Sequence, residues 1–545
     1  MFDICIIGSG AGAGPIAYEL TKAGKKVLIL EKGGFYKEED FSKDEIAFCR
    51  RSIVTPKLKD EYHLIEEKED GEWRATPTYK SGWDFWNGNV VGGSSNFMSG
   101  FFHRLHPKDF RLLSEFGAIK GANVVDWPIS YEEMEPYYEK AERIVGISGQ
   151  VTPYKFQEPR STKDFPSPPT DEHPISKLID KSCKDLGITA VKTPRAILSV
   201  AKEDRNACYY SNYCGSYGCS SGAKGSSRAA LLQPALKTGN LTIITHAFVK
   251  KLVEKEHQVK EVEYIDMVGN SKTVQAKIFV VAAQAVESSR LLLNSRSENF
   301  PNGLANNNGQ VGKNLLFSAG GVVSGTLDKS SMELKELMVE GLFINRTIKD
   351  WYFLDDKTKG GISEALFEHV NPIVKANRQK WEEGSLIWGE ALQDKIYEKL
   401  NQKKQLDFEI FNDWIPNDDC FVDVDARYLD KHGTPVAKIR IDSHPQNVKV
   451  GKLLAEKTEQ VLKKMGAKNI SSSVSPYPPQ NLQAGGCRFG NDPKTSVLDK
   501  DCRAHEVSNL FVTDGSFMPT GGSVPYTWTI YANSFRVAEV LKGIV

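Results

Sequence analysis

Hydrophobic and polar positions switch between two periods along this chain, and the switches mark its elements. Phe2 to Ile7 is a short β-rich run, Pro15 to Ala23 spaces its apolar residues helically, and "KKVLIL" is a second buried strand ending in Glu31. Farther on, "NLTIITHAFVKKLVEK" and "TVQAKIFVVAAQAVESSRLLLNS" predict a β-hairpin region followed by a strand that leads into a helix. "CFVDVDARYLDKHGTPVAKIRI" predicts two alternating strands around a polar turn at Lys431-His432-Gly433. "VSNLFVTDGSFMPTGGS" predicts a strand ending at Asp514-Gly515, before the final helix "YANSFRVAEVLKGI". "EEMEPYYEKAERI" reads as a charged, solvated helix face and the Pro-rich stretch 164–174 as a surface connector.

The first turn fits G-x-G-x-x-A at Gly8, Gly10 and Ala13. Gly8 permits a tight turn, Gly10 lets a pyrophosphate approach the backbone, and a small residue at Ala13 lets helix and strand pack closely. The helix N-terminus adds N–H donors and a positive dipole for phosphates. Glu31, at the end of the second strand, is placed to accept from a ribose 2′-OH and would repel a 2′-phosphate. The fingerprint alone does not separate NAD from FAD.

At 545 residues the chain is too long for one ordinary core, which predicts two domains of unequal size. The 70 basic and 70 acidic residues cancel, so nothing favours nucleic acid or an anionic membrane. No apolar run approaches the roughly 18 residues of a membrane span. "MFDICIIGSG" is already a strand at the N-terminus, which leaves no room for a signal peptide. Nine cysteines, an odd and scattered set, do not read as a secreted disulfide framework, so the cytoplasm is the default compartment.

Five segments in order resemble the glucose–methanol–choline (GMC) family of FAD oxidoreductases. They are the Gly8/Gly10/Glu31 unit, "VVGGSSNFM", "AAQAVESSRLLLNS", "GGCRFGNDPKTSVLD" and "NLFVTDGSFMPTGGS". The resemblance implies an α/β (α+β overall) fold. A Rossmann-like FAD-binding domain would be assembled from 1–110, 195–300 and 480–545. A substrate domain with an antiparallel sheet would comprise 111–194 and 301–479. It implies that Gly92, Gly93, Ser94, Ser95 and Asn96 run along the pyrophosphate and isoalloxazine, Val249 meets the adenine side, and Asp514 and Gly515 the ribityl region. The implied activity is hydride transfer from a CH–OH carbon of a sugar, polyol or related alcohol to flavin, with a base removing the hydroxyl proton.

Two places complicate that expectation. The stretch "CYYSNYCGSYGCSSGAKGSS" holds Cys208, Cys214 and Cys219 with the spacing C-x5-C-x4-C, similar to the cluster-carrying dehydrogenase branch of the family. Three thiolates would suit a [3Fe–4S] cluster. A loop of small residues and a disulfide remain open, while zinc lacks a nearby fourth ligand. With a cluster, electrons would leave toward a cytochrome or quinone. In that branch a small partner subunit carries the export signal, so the periplasm is reachable. Without one, an oxygen-using oxidase is the alternative.

The second departure lies where the family places its acid–base pair. Leu482 and Pro525 occupy those positions, and neither can accept a proton. The neighbours Tyr526, Asn481 and Gln483 are the local candidates, Tyr526 through a shifted phenol and the amides only as hydrogen-bonding groups. A residue reaching in from the substrate domain is the other route, and a flavin-binding electron-transfer subunit that has lost alcohol oxidation is the competing function. His103 and His106 read as surface or packing residues, Asp84 and Trp86 as core or flavin-entrance residues.

Overall fold

A computed structural model describes residues 1–46, 59–83, 85, 88–368 and 371–545. Cys49, Asp84 and Trp86 lie outside the described residues.

The N-terminal pattern folds as its periods predict. Strand Phe2–Ile7, helix Gly14–Lys22 and strand Val27–Leu30 form a βαβ unit. The two strands sit at the heart of a five-stranded sheet ordered Leu510–Val512, Ala276–Val281, Phe2–Ile7, Val27–Leu30, Leu241–Ile244. Every pairing in it is parallel. Strands covered on both faces are continuously apolar, as "VLIL" and "CII" are here. The C-terminal helix Thr527–Ile544, buried along most of its length, packs on the first helix. Segments far apart in sequence thus meet at one edge, where the strand ends face the glycine turn.

A second sheet of six strands runs in the order Lys468–Val474, Ser318–Leu327, Lys404–Asp413, Gly361–Phe367, Arg346–Ile348, Ala190–Lys192. All its pairings are antiparallel. Its residues alternate between two cores, as period-2 strands require. Leu406, Phe408, Ile410 and Ala365 pack with Val450, Leu454 and Leu462 of helix Pro445–Lys464. Phe411 and Ile362 point the other way, into the core of the nucleotide-fold sheet. That inner face also carries Glu364 and Glu409, directly opposed across the ladder, with Asp407 one pair farther along.

Three expectations change. The hairpin Phe421–Leu429/Pro435–Arg440 forms, with Gly433 at φ +70°, but joins strands Leu64–Glu69 and Glu72–Pro77 in a separate four-stranded sheet. Its inward residues Val422, Ala437 and Ile439 sink into the first core, which fixes it there instead of in the six-stranded sheet. The hairpin near 250 pairs Phe248–Lys255 with Gln258–Ile265, while Leu241–Ile244 stays in the parallel sheet. Stretch 164–174 is a connector without helix or strand but is only partly at the surface: Asp164, Pro166, Pro168 and Asp171 are exposed, while Ser167, Thr170 and His173 are buried, held by main-chain bonds such as Gly149 N to Ser167 O. No helix among the described residues is long and apolar enough to cross a membrane.

Candidate active site

The glycine turn leaves space where the fingerprint expects it. Gly8 has φ +89°, and a Cβ there would strike Ala282 O of the neighbouring strand. A Cβ on Gly10 would meet nothing within 4 Å, so its backbone borders open space. Close packing is demanded at two other positions: a Cβ on Gly12 would overlap the Asp514 backbone, and one on Gly14 would overlap Ser227 Oγ. Ala13 is buried at the helix start, so the small-residue role assigned to it is shared with Gly12 and Gly14.

Ser9, the unassigned middle residue of G-x-G, organises the turn. Its N and Oγ donate to Glu31 Oε2 at 3.1 and 2.5 Å. Its Oγ also accepts from Gly92 N at 2.9 Å, and its carbonyl from Ser227 Oγ at 2.8 Å. Glu31 Oε1 accepts from Gly33 N at 2.8 Å. Burial pushes the Glu31 carboxyl up, against the pull of these donors. Ala247 N bonds to Glu31 O, whereas Val249 lies beyond, in strand Phe248–Lys255.

The second glycine loop lies against the first. Gly92 and Gly93 have φ +95° and +57°, and a Cβ on Gly93 would sit 3.1 Å from Gly10 Cα. Ser95 Oγ donates to Gly92 O at 2.6 Å and accepts from Ser227 N at 2.9 Å. Asn96 Nδ2 bonds to Val91 O and Gly93 O, both at 3.0 Å, and Ser94 Oγ accepts from Gly88 N. Asp514 closes the edge: Ser288 Oγ and Gln284 N donate to one oxygen, Ser516 N and Oγ to the other. Gly515 backs onto Gln483 O and Ile530.

At the two family base positions the structure sorts the candidates. Gln483 is consumed by the fold, donating to Phe85 O and Gln480 O and accepting from Gln284 Nε2. Both of its N–H donors are thereby taken, and only Oε1 keeps a free lone pair. Leu482 sits at φ +57°, a conformation rare for a branched side chain. Asn481 Oδ1 and the Tyr526 hydroxyl are buried with no hydrogen-bond partner among the described residues. Burial raises the Tyr526 phenol well above its ordinary value, with no opposing cation. The shift runs against the phenolate that a base at Tyr526 would need. His103 is buried, not at the surface, and its Nε2 lies 3.2 Å from Glu364 Oε2. Across the ladder Glu409 makes no hydrogen bond or ion pair among the described residues, and burial, reinforced by Glu364 and Asp407, pushes it up to about 7.

Cys208, Cys214 and Cys219 line one cavity of about 110 Å³, which also touches Ser99 and Phe101 just downstream of the second glycine loop. The eight described cysteines are free thiols, so no disulfide forms there. Among the described residues no group of three His, Cys, Asp or Glu is set to hold a metal ion. The charges around the cavity are nevertheless mostly positive: Lys43, Arg195 and Lys224 line it together with the carboxylate of Glu368, and Arg205 lies near Cys219. Arg195 donates to Asn345 Oδ1, Ser99 O and Ile344 O; Arg205 to Gly222, Val145 and Ala223 carbonyls; Lys224 to Asn96 and Tyr217 carbonyls. All three are buried and, among the described residues, none has a carboxylate partner. Elsewhere most buried cations are paired, as Arg104 with Glu142 and Arg290 with Asp430, although Arg488 likewise donates only to carbonyls, of Thr495 and Asn123. Burial pushes Arg195 and Arg205 down to about 10. Burial pushes the Cys208 thiol up to about 11; in Cys219 the same effect is outweighed by Lys224 and by bonds from Ser221 and Lys224, leaving that thiol below its ordinary value.

A parallel nucleotide fold with two apposed glycine loops is built to hold a dinucleotide, and the family match makes the chain a flavin-dependent oxidoreductase. Residues 75–318 and 416–534 match the N- and C-terminal models of the GMC oxidoreductase family, and the chain belongs to that family. It is 29% identical to paromamine 6'-oxidase of Streptomyces fradiae over all of this chain and 92% of that protein. It is 28% identical to 2-methyl-1,2-propanediol dehydrogenase of Mycolicibacterium austroafricanum, covering 99% and 95% of the two chains. The fructose dehydrogenase large subunit of Gluconobacter japonicus is 26% identical, with 99% and 97% covered. Among solved structures, pyridoxine 4-oxidase from Mesorbium loti shares the fold at a TM-score of 0.63 and 17% identity over 99% of each chain.

Proposed function

We propose that this protein is an FAD-dependent dehydrogenase of a CH–OH group in a sugar, polyol or related alcohol, and that its electrons leave through an iron–sulfur centre held by Cys208, Cys214 and Cys219. The observation that carries the second half is the excess of buried cations beside three thiols: Arg195 and Lys224 line their cavity and Arg205 lies near Cys219, none of the three in an ion pair among the described residues. Buried charge is ordinarily paired, so Arg195, Arg205 and Lys224 call for an anionic occupant. A thiolate-ligated cluster is one, and it is wider than the single ion for which these thiols are not set. Relatives named for oxidase and dehydrogenase activity on alcohols and sugars support the first half.

The open backbone at Gly10 and the donors near Ser9, Gly92 and Asn96 fit FAD, which when bound supplies the hydride acceptor. The chain's own residues then hold the alcohol. Asn481 Oδ1 and the neutral Tyr526 hydroxyl are two otherwise unpaired buried atoms: Tyr526 donates to the reacting oxygen, and Asn481 accepts from a neighbouring hydroxyl of a sugar or polyol, which leaves the reacting O–H free for the base. Neither removes the proton. Glu409, on the inner face of the roofing sheet and half ionised near neutral pH, is the substrate-domain group suited to receive it.

Protein made with iron and sulfide available is expected to contain both, together with FAD, and to reduce one-electron acceptors. Flavin without iron, with hydrogen peroxide as product, would replace this with an oxygen-using oxidase, the alternative that needs no metal group. Two relatives are named as a large subunit and a flavoprotein, and a small partner subunit that bears an export signal completes the proposal.

A further inference from the structure

The thiol loop and the second glycine loop are joined by one side chain. Lys224 is 2% exposed, and its Nζ donates to Asn96 O at 3.3 Å and to Tyr217 O at 2.9 Å. Asn96 ends the Gly92–Asn96 loop; Tyr217 lies between Cys214 and Cys219. The main-chain N of the same lysine donates to Cys219 Sγ at 3.4 Å. An apolar strut runs parallel to this bridge. Gly218 lies so close on the Phe41 ring that a Cβ would overlap it, and Phe41 packs edge-on against Phe97 at 6.2 Å.

An ammonium buried against two neutral carbonyls is stable only while both carbonyls stay in place, because losing either leaves a desolvated charge with too few acceptors. Displacing Asn96 therefore loosens the hold on Tyr217, and the reverse is equally true. We propose that Lys224 is a positioning residue that couples the FAD-binding loop to the thiol site, so that filling the first orders the second. The proposal uses the FAD of the function proposed above but not the iron. By linkage the coupling is reciprocal: whatever FAD does for the thiols, an occupant of the thiols does for FAD.

The test measures iodoacetamide alkylation of Cys208, Cys214 and Cys219, peptide by peptide, in protein stripped of flavin and metal, with and without saturating FAD. In wild type, FAD is expected to slow alkylation of Cys214 and Cys219 by tenfold or more. In Lys224→Met, FAD still binds but its effect on the thiols falls below twofold, and Lys224→Arg, which keeps the charge and the donors, restores most of it. Wild-type alkylation that ignores FAD would overturn the proposal even if the methionine variant failed to fold. So would an undiminished FAD effect in Lys224→Met. Iron analysis of the untreated protein is read separately: its absence removes the cluster and leaves the coupling to stand or fall on alkylation.

Discussion

Replacing Glu409 with glutamine removes a carboxylate that the sheet register sets opposite Glu364 and next to Asp407. Burial is the larger cause of its displacement from 4.5 to about 7, the two acids the lesser. In the unfolded chain Glu409 titrates near its ordinary value, so between about pH 4.5 and 7 the native state binds more protons. Stability then falls as pH rises through that window and levels off above it. At about 1.4 kcal/mol per tenfold change, a displacement from 4.5 to about 7 is worth about 3 kcal/mol at most, less where water reaches the carboxylate. Glu409→Gln pays none of this, so its advantage over wild type should be near zero at pH 4.5, grow to about 2–3 kcal/mol by pH 8, and then hold constant. Urea denaturation of the FAD-loaded protein at five pH values, compared pairwise, measures the difference. An offset independent of pH would refute the reasoning, because it would mean an ordinary, solvated carboxylate.

Gly10→Leu should abolish FAD binding while leaving the thermal midpoint of the flavin-free protein nearly unchanged, since a Cβ there meets no protein atom within 4 Å; differential scanning fluorimetry with released-flavin assay checks both. Cys208→Ser, Cys214→Ser and Cys219→Ser should each lose iron and acceptor-coupled turnover and keep one FAD per chain, by metal analysis and visible spectrum. Tyr526→Phe should stabilise the substrate-free protein by about 1–3 kcal/mol, because it removes a buried hydroxyl without a partner. The same change should raise KM, and an unaltered KM would show that the hydroxyl does not meet substrate.

The nucleotide half was legible because its signals are local. Gly8 and Gly10, the flanking apolar strands and Glu31 lie within one βαβ unit, and each does its work against near neighbours. Ser9 was not legible, since nothing in the G-x-G spacing says that its hydroxyl will join Glu31 to Gly92, 83 residues on. His103 and Glu364 are separated by 261 residues, so a buried pair looked like a packing or surface histidine. The cysteine spacing marked a thiol site, but its strongest feature, three buried cations nearby with no ion pair among the described residues, is displayed only by the packed structure. Glu409 sits in a strand whose alternation alone does not tell that its polar face will be covered; the core laid over that face moves its titration.

The most direct test of alcohol oxidation by this fold is anaerobic mixing of the purified flavoprotein with a panel of sugars, polyols and simple alcohols, followed by the absorbance of bound FAD. At least one member of the panel is expected to bleach the flavin within seconds to minutes, and to do so more slowly in Glu409→Gln. A flavin that stays oxidised with every member would contradict the assignment and leave a flavin-binding electron-transfer subunit in its place.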